Sequence, residues 1–130
     1  MGDLVRRDVP TSSIDATVAH AERLIRSSGW DQCVVVNDER VVFGRIRLNE
    51  LGDDREATAE RVMQEGPTTF RPSVGVHEML EYMRQRGKMS DALVTDPEGR
   101  LLGVIRRDDL EAAIHELHAH AKAHDDEEGE

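Results

Sequence analysis

The chain has few of the residues that would point to a membrane protein, a disulfide-stabilised protein or a nucleic-acid-binding protein. Cys33 is its single cysteine, which excludes an internal disulfide, and we expect a buried thiol in a reduced, cytoplasmic protein. The longest apolar runs have the length of a β-strand, far below the roughly 20 residues of a membrane-spanning helix. The 27 acidic residues outnumber the 17 basic ones, so general binding to nucleic-acid phosphates is not expected.

Aromatic residues make up only 3% of the 130 positions, so any core must be built mainly from aliphatic side chains and methionine. The first ten residues, MGDLVRRDVP, contain no apolar run of the kind that a signal peptide requires. Much of the net charge of −10 lies at the other end, in the sequence DDEEGE. We therefore predict that residues 120–130 form an acidic, histidine-containing, disordered tail.

The strongest pattern in the chain is an internal repeat. Residues 34–51 (VVVNDERVVFGRIRLNEL) match residues 93–110 (LVTDPEGRLLGVIRRDDL), with Gly44 and Gly103 lying 59 positions apart. Residues 15–29 align in the same way with residues 73–87 at a shift of 58. Apolar positions, turn residues and helix starts recur together, which indicates a duplicated structural unit.

Hydrophobic periodicity assigns the same elements to both copies, in the order strand, helix, strand, strand, helix. We predict extended segments at 9–11 and 67–71, helices over 15–29 and from an N-cap at Ser73, and a last helix over 108–123. The paired strands are predicted at 33–37, 41–47, 92–95 and 101–106, and residues 1–8 are predicted to be a loose arm. The fold class is therefore α/β, of the α+β type, with repeats at 1–62 and 63–119 that pack against each other as two half-units.

These features resemble the cystathionine-β-synthase-type (CBS) domain, which occurs in tandem pairs called Bateman modules. The resemblance lies in the order of elements, in the G-x-I-x-x-x-[DE]-L ending of each strand pair, and in the Met63-x-x-x-Pro67 joint between the copies. It implies that the repeats pack about a pseudo-two-fold axis and that two clefts between them bind AMP, ADP, ATP or S-adenosylmethionine. It also implies a homodimer that regulates a partner protein of unknown identity.

The family's ligand phrase is Gly, apolar, any residue, Thr or Ser, two residues of any kind, then Asp. The second copy matches it at Gly103 and Asp109 but has Arg106 at the hydroxyl position. In the first copy Gly44 matches, whereas Arg47 and Glu50 replace the hydroxyl residue and the aspartate, and Arg45 replaces the apolar residue. The resemblance implies that the acid binds ribose hydroxyls and that the second cleft binds more tightly. An arginine at the phosphate position either holds phosphate in a bidentate contact or fills the cleft.

Further ligand contacts are implied by the resemblance. They are the extended residues before each first helix (Pro10, Thr11, Thr68, Thr69) and the entries to each strand pair (Trp30, Asp31, Met89, Ser90). The Trp30 ring would either stack on a base or serve as a partly buried packing residue.

We therefore predict a stand-alone regulatory CBS pair that binds an adenosine-containing ligand. The alternative is a degenerate, ligand-free pair that acts as a dimerisation or protein-interaction module. A metal site is not expected, because one helix cannot place His115, His118, His120 and His124 around a single ion. An enzyme is not expected, because the sequence shows neither a Ser/His/Asp arrangement nor a pair of carboxylates in a supporting context. We predict that the homodimer contact uses the helices before and after each strand pair, through the apolar stripe of Leu80 and Met83 or through that of Ile114 and Leu117.

Overall fold

The computed structural model describes residues 2–87 and 89–128, with side chains as far as Leu117. The helices are α1 (Val18–Ser28), α2 (Ala59–Val62), α3 (Val76–Gln85) and α4 (Arg107–Glu128). The strands are β1 (Thr11–Ser12), β2 (Gln32–Val36), β3 (Val42–Arg47), β4 (Gln64–Glu65), β5 (Thr69–Phe70), β6 (Asp91–Thr95) and β7 (Leu101–Arg106). Single 3₁₀ turns lie at Gly2–Leu4 and Leu48–Glu50. The predicted α/β class and the order of elements in both repeats are confirmed.

Each repeat forms its own small sheet. The first has the order β1-β2-β3-β4 and the second the order β5-β6-β7. In both, the short first strand runs parallel to its neighbour, and the two long strands form an antiparallel hairpin. An isolated antiparallel bridge joins Arg6 to Val104 of β7. The N-terminal arm therefore occupies beside β7 the place that β4 occupies beside β3, and the prediction that residues 1–8 are loose is wrong.

The core has three parts that follow from the two faces of each sheet. One face of each sheet packs against the helices of its own repeat. This packing includes Ala21 and Ile46 in the first repeat and Ala92 and Val94 in the second repeat. The other faces meet between the repeats in a shared cluster of Val9, Trp30, Val34, Val36, Leu93, Leu101 and Val104. Because β2 and β6 are buried on both faces, their sequences are almost continuously apolar.

Hydrogen bonds between the hairpin turns mark the pseudo-two-fold axis. The Val42 N–H donates to the Gly99 carbonyl at 3.1 Å, and the Leu101 N–H donates to the Arg40 carbonyl at 2.8 Å. The two donors, Val42 and Leu101, are 59 positions apart, and so are the two acceptors, Arg40 and Gly99. The two hydrogen bonds are therefore equivalent, and the axis passes between the turns. The predicted pseudo-symmetric packing of the repeats is thus confirmed.

Three details of the helices differ from prediction. α1 begins at Val18, where the Thr17 hydroxyl accepts from the His20 N–H at 3.2 Å, and α3 follows Gly75 in place of the predicted cap Ser73. α4 extends to Glu128, beyond the predicted end at 123, and includes most of the segment predicted to be disordered. Alanine, lysine and glutamate in AHAKAHDDEE favour helix more strongly than its unfavourable C-terminal charges oppose it.

The apolar helix stripes are largely used inside the molecule. Leu80 and Met83 are 2% and 0% exposed in the core of the second repeat, so the prediction that they form a dimer contact is wrong. Leu117 on α4 is 54% exposed. Among the described residues, no helix is both long and apolar enough to cross a membrane.

Candidate functional site

A cavity of about 440 Å³ lies where the two repeats meet, next to the start of α4. The first repeat contributes the loop before β2, and the second contributes the entry to β6 and the junction between β7 and α4. Its lining residues are Gly29, Asp31, Met89, Ser90, Asp91, Arg106, Arg107 and Asp108. The structure thus brings together four of the residues predicted to contact a ligand, which are Asp31, Met89, Ser90 and Arg106.

Backbone hydrogen bonds hold the edges of this region in equivalent positions in both repeats. The Arg107 N–H donates to the Ser90 carbonyl at 2.8 Å, and the Leu48 N–H donates to the Asp31 carbonyl at the same distance. Each bond ties the residue after a hairpin to the residue before it. The first and last residues of each hairpin are therefore held close together. Arg106 is fixed directly before α4, and Arg47 is fixed directly before the 3₁₀ turn at Leu48–Glu50.

Arg106 lies on Trp30. Its guanidinium carbon is 4.1 Å from the centre of the Trp30 ring, a cation–π contact, and Trp30 is only 6% exposed. In this structure Trp30 is a packing residue with one face covered, and a base could stack on that face only after Arg106 had moved.

Asp109, the predicted ribose contact, is held by the N-terminal arm. Arg6 Nε donates to one carboxylate oxygen at 2.7 Å and Arg6 Nη2 to the other at 3.0 Å. The hydrogen bond from Arg6 lowers the pKa of Asp109, and the same bond raises the pKa of Arg6. Asp109 does not line the cavity described above.

Gly44 and Gly103, which open the two predicted ligand phrases, provide room for crossing chain segments. A Cβ atom on Gly103 would lie 2.7 Å from Val5 Cγ1 and in contact with the Arg6 carbonyl. A Cβ atom on Gly44 would lie 2.9 Å from the Gln64 carbonyl oxygen. Glycine recurs at these two positions because the arm and β4 each pass too close to leave space for a side chain.

The first repeat forms a smaller cavity of about 370 Å³, lined by Asp31, Arg47, Leu48 and Asn49. Arg47 also donates to Asp91 Oδ1 at 3.2 Å, and Arg45 donates to the same oxygen at 3.0 Å. The other Asp91 oxygen accepts from Gln32 Nε2 at 2.7 Å. Burial, followed by the nearby charge of Arg47, lowers the pKa of Arg45.

This axial cluster of Gln32, Arg45, Arg47 and Asp91 was not predicted from the sequence. Gln32 and Asp91 are 59 positions apart and occupy the first position of β2 and β6. Both are buried. A polar residue at the first position of two strands whose next three residues are apolar was the signal that could have identified them.

The remaining predicted contacts lie away from both cavities. The Pro10 carbonyl accepts from the Val34 N–H at 3.0 Å, and Thr11 pairs with Val34 in the first sheet. Thr69 pairs with Leu93, and its side chain, like those of Thr68 and Glu50, is exposed.

A metal centre has no support in the described side chains, among which no group of three His, Cys, Asp or Glu residues is placed to hold an ion. The side chains of His118, His120 and His124 lie outside the part of the chain whose side chains are described.

A family model for the CBS domain matches residues 1–51 and 59–116. An uncharacterised protein of Methanopyrus kandleri is 25% identical over 118 residues, which are 85% of this chain and 60% of that protein. A protein of Methanosalsum zhilinae named homoserine O-acetyltransferase is 23% identical over 117 residues, or 88% of this chain and 24% of its own. The chain thus spans less than two thirds of the length of either relative.

Solved structures share the fold at low sequence identity. The protein CBSX2 in complex with AMP has a TM-score of 0.78 at 17% identity, covering 89% of this chain and 96% of its own. The cytosolic domain of the Mg²⁺ channel MgtE in complex with ATP has a TM-score of 0.77 at 21% identity, covering 85% of this chain and 46% of its own.

Proposed function

The chain belongs to the CBS-domain family as a tandem pair, and from this premise we propose that it is a regulatory module that binds an adenosine-containing ligand between its repeats. The observation that supports this function best is the cavity of about 440 Å³ bounded by both repeats. Small-molecule sites commonly have volumes of about 300–1,000 Å³. The related folds of CBSX2 and MgtE, which were solved with AMP and ATP, support the class of ligand.

The charges that line this cavity suit a nucleotide. Arg106 and Arg107 stand at the start of α4, where the positive end of the helix dipole adds to their attraction for phosphate. The ribose hydroxyls would donate to the carboxylate of Asp109, which follows the lining residue Asp108 in the first turn of α4. We propose that Arg106 makes a phosphate contact, which requires it to leave the Trp30 ring and opens that ring to the base.

Thermal shift with AMP, ADP, ATP and S-adenosylmethionine at millimolar concentration tests the proposal. A ligand present at 100 times its Kd should stabilise the folded protein by about 2.7 kcal/mol.

Calorimetry should then compare Arg106→Ala with Arg23→Ala, a matched control on the exposed face of α1. We expect Arg106→Ala to weaken binding by about tenfold or more, because a hydrogen bond to a charged group contributes about 1.5–3 kcal/mol. Equal affinities for both variants would refute the role of Arg106.

The second candidate is a ligand-free pair that serves as a dimerisation or protein-interaction module. The observation that favours it is that Arg106 covers Trp30 and Arg6 engages Asp109, so that two predicted ligand contacts are occupied by the chain's own arginines. A flat thermal response to all four ligands would support this function over the first.

Modulation of a partner protein, homodimer formation and a cytoplasmic location are parts of the same proposal. For the dimer we propose a contact through α4, where Leu117 presents an exposed apolar side chain beside the half-buried Ile114. The absence of enzymatic activity remains a prediction from the sequence.

A further inference from the structure

The N-terminal arm is attached to the second repeat by one residue that makes both backbone and side-chain contacts. The Arg6 N–H donates to the Val104 carbonyl at 2.8 Å, and the Arg6 carbonyl accepts from the Val104 N–H at 2.9 Å. The arm thus extends the second sheet at the edge of β7, directly over Gly103. From that position the Arg6 side chain reaches the first turn of α4 and engages both oxygens of Asp109.

The first repeat provides an internal comparison for this contact. Gln64 lies 58 positions after Arg6, and it pairs with Arg45 of β3 as Arg6 pairs with Val104 of β7. The residue equivalent to Asp109 is Glu50. A glutamine is uncharged and cannot form an ion pair with Glu50, so Gln64 does not reproduce the Arg6–Asp109 ion pair in the first repeat.

We propose that Arg6 is an autoinhibitory residue that competes with the ligand for Asp109, and that ligand binding therefore releases the arm from β7. This inference rests on the proposed nucleotide-binding function. A bidentate guanidinium uses both carboxylate oxygens, and these are the acceptors that a ribose diol would need. Arg6 must withdraw before Asp109 can accept from the diol in its place.

The exposure of the ion pair makes such an exchange feasible. The Arg6 side chain is 46% exposed and that of Asp109 is 26% exposed. Exposed pairs contribute little to stability because water solvates both separated charges well. The pair is thus well formed in geometry but weak enough for a ligand to displace it.

Release of the arm has a direct structural consequence. The Val104 N–H has Arg6 as its hydrogen-bond acceptor, so departure of the arm exposes this amide to water. Hydrogen exchange at Val104 therefore reports arm docking without depending on any activity of the protein.

The arm contact is tested first without ligand. Hydrogen exchange at the Val104 amide, followed by NMR, should be faster in Asp109→Asn than in the wild type by about twofold to fivefold, the range expected for an exposed ion pair. Arg7→Ala is the matched control, because Arg7 is the exposed arginine next to Arg6. If exchange in Asp109→Asn equals that of the wild type, the ion pair does not hold the arm and the inference is overturned.

Competition is tested with ligands that separate ribose recognition from phosphate attraction. Adenosine carries the ribose diol without a phosphate, so loss of the Arg6 charge should affect its affinity only through Asp109. We expect Arg6→Ala to bind adenosine about twofold to fivefold more tightly than the wild type or Arg7→Ala does. We also expect saturating adenosine or ATP to accelerate exchange at Val104 in the wild type.

The outcomes distinguish this inference from the proposed function. If adenosine or ATP binds while Val104 exchange and the effect of Arg6→Ala stay unchanged, the competition is refuted and the binding function stands. Weaker adenosine binding by Arg6→Ala would make Arg6 a ligand contact and would also overturn the inference. If neither adenosine nor ATP binds to the wild type or to Arg6→Ala, the competition is refuted, and the proposed function fails with it when AMP, ADP and S-adenosylmethionine give no thermal shift either.

Discussion

Replacing Asp91 by alanine should be among the most damaging single changes in the described part of the chain. The Asp91 side chain is 8% exposed, and its carboxylate accepts from Gln32 at 2.7 Å, Arg45 at 3.0 Å and Arg47 at 3.2 Å. The substitution leaves two arginines of like charge beside each other. Arg45 is the more sensitive of the two, because its side chain is only 13% exposed.

The size of the effect follows from the burial of the cluster. Removal of one partner from a buried ion pair costs about 3–5 kcal/mol, because the remaining charge is left uncompensated. For a protein of this length, that loss corresponds to a fall in Tm of about 10–20 °C. Arg45→Val introduces the residue that the second repeat has at the equivalent position, Val104, and removes the more deeply buried of the two charges.

Urea denaturation of Asp91→Ala, Arg45→Val and the double variant would measure both effects. We expect the double variant to be less destabilised than the sum of the two single losses by about 1–3 kcal/mol, as for contacting residues. Asp38→Ala, in the exposed turn between β2 and β3, is the control and should change stability by less than about 0.5 kcal/mol. A loss below about 1 kcal/mol for Asp91→Ala, or strict additivity, would refute the view that Asp91 compensates buried charge.

Three further predictions concern the arm, its ion pair and α4. Gly103→Ala should destabilise the protein by about 1–3 kcal/mol in urea denaturation, because the added Cβ would collide with the arm. Hydrogen exchange at Val104 should be faster in this variant, and unchanged stability and exchange would contradict the prediction. Arg6 lowers the pKa of Asp109 below its ordinary 3.8, so the ion pair should hold the arm at every pH above that value. The difference in Val104 exchange between the wild type and Asp109→Asn should therefore disappear only as the pH falls below 3.8. Loss of that difference near neutral pH would contradict the assignment. If α4 forms the homodimer contact, light scattering should show a dimer for the wild type and a monomer for Leu117→Lys, and a dimer in both would exclude Leu117 from the interface.

The fold was predictable because its determinants are local and occur twice. The polar turns after β2 and β6, the glycine that ends α1, and the apolar strands appear in the sequence as fixed spacings. Gly29 adopts a φ of +78° at the end of α1, as a helix-ending glycine commonly does. Helix starts were less predictable because the cap differs between the repeats: the Thr17 side chain caps α1, whereas Gly75 precedes α3 without a side-chain cap.

The site was less predictable because its contacts join residues that are far apart in the chain. The Arg6–Asp109 pair spans 103 positions and the Gln32–Asp91 pair spans 59. The repeat aligns Gln32 with Asp91, but alignment says that two residues are equivalent and does not say that they touch. They touch because both lie beside the pseudo-two-fold axis, which became visible only when the sheets were packed. Arg6 lies outside the aligned segments altogether, so no pattern indicated its partner.

The residues at the axis show why a symmetric fold needs an asymmetric sequence at that place. A residue next to a pseudo-two-fold axis faces its own equivalent, so two aspartates there would bring like charges together and two glutamines would leave Arg45 without a carboxylate. Gln32 opposite Asp91 avoids both problems, because the Gln32 amide donates to one carboxylate oxygen and the other oxygen compensates the charges of Arg45 and Arg47.

The same choice makes the two clefts unequal. Arg47 is held by Asp91 on one side of the axis, whereas its equivalent, Arg106, lies on Trp30 at the edge of the larger cavity. Under the proposed function, phosphate would compete with a buried carboxylate for Arg47 but with an aromatic ring for Arg106, so we expect tighter binding in the larger cavity.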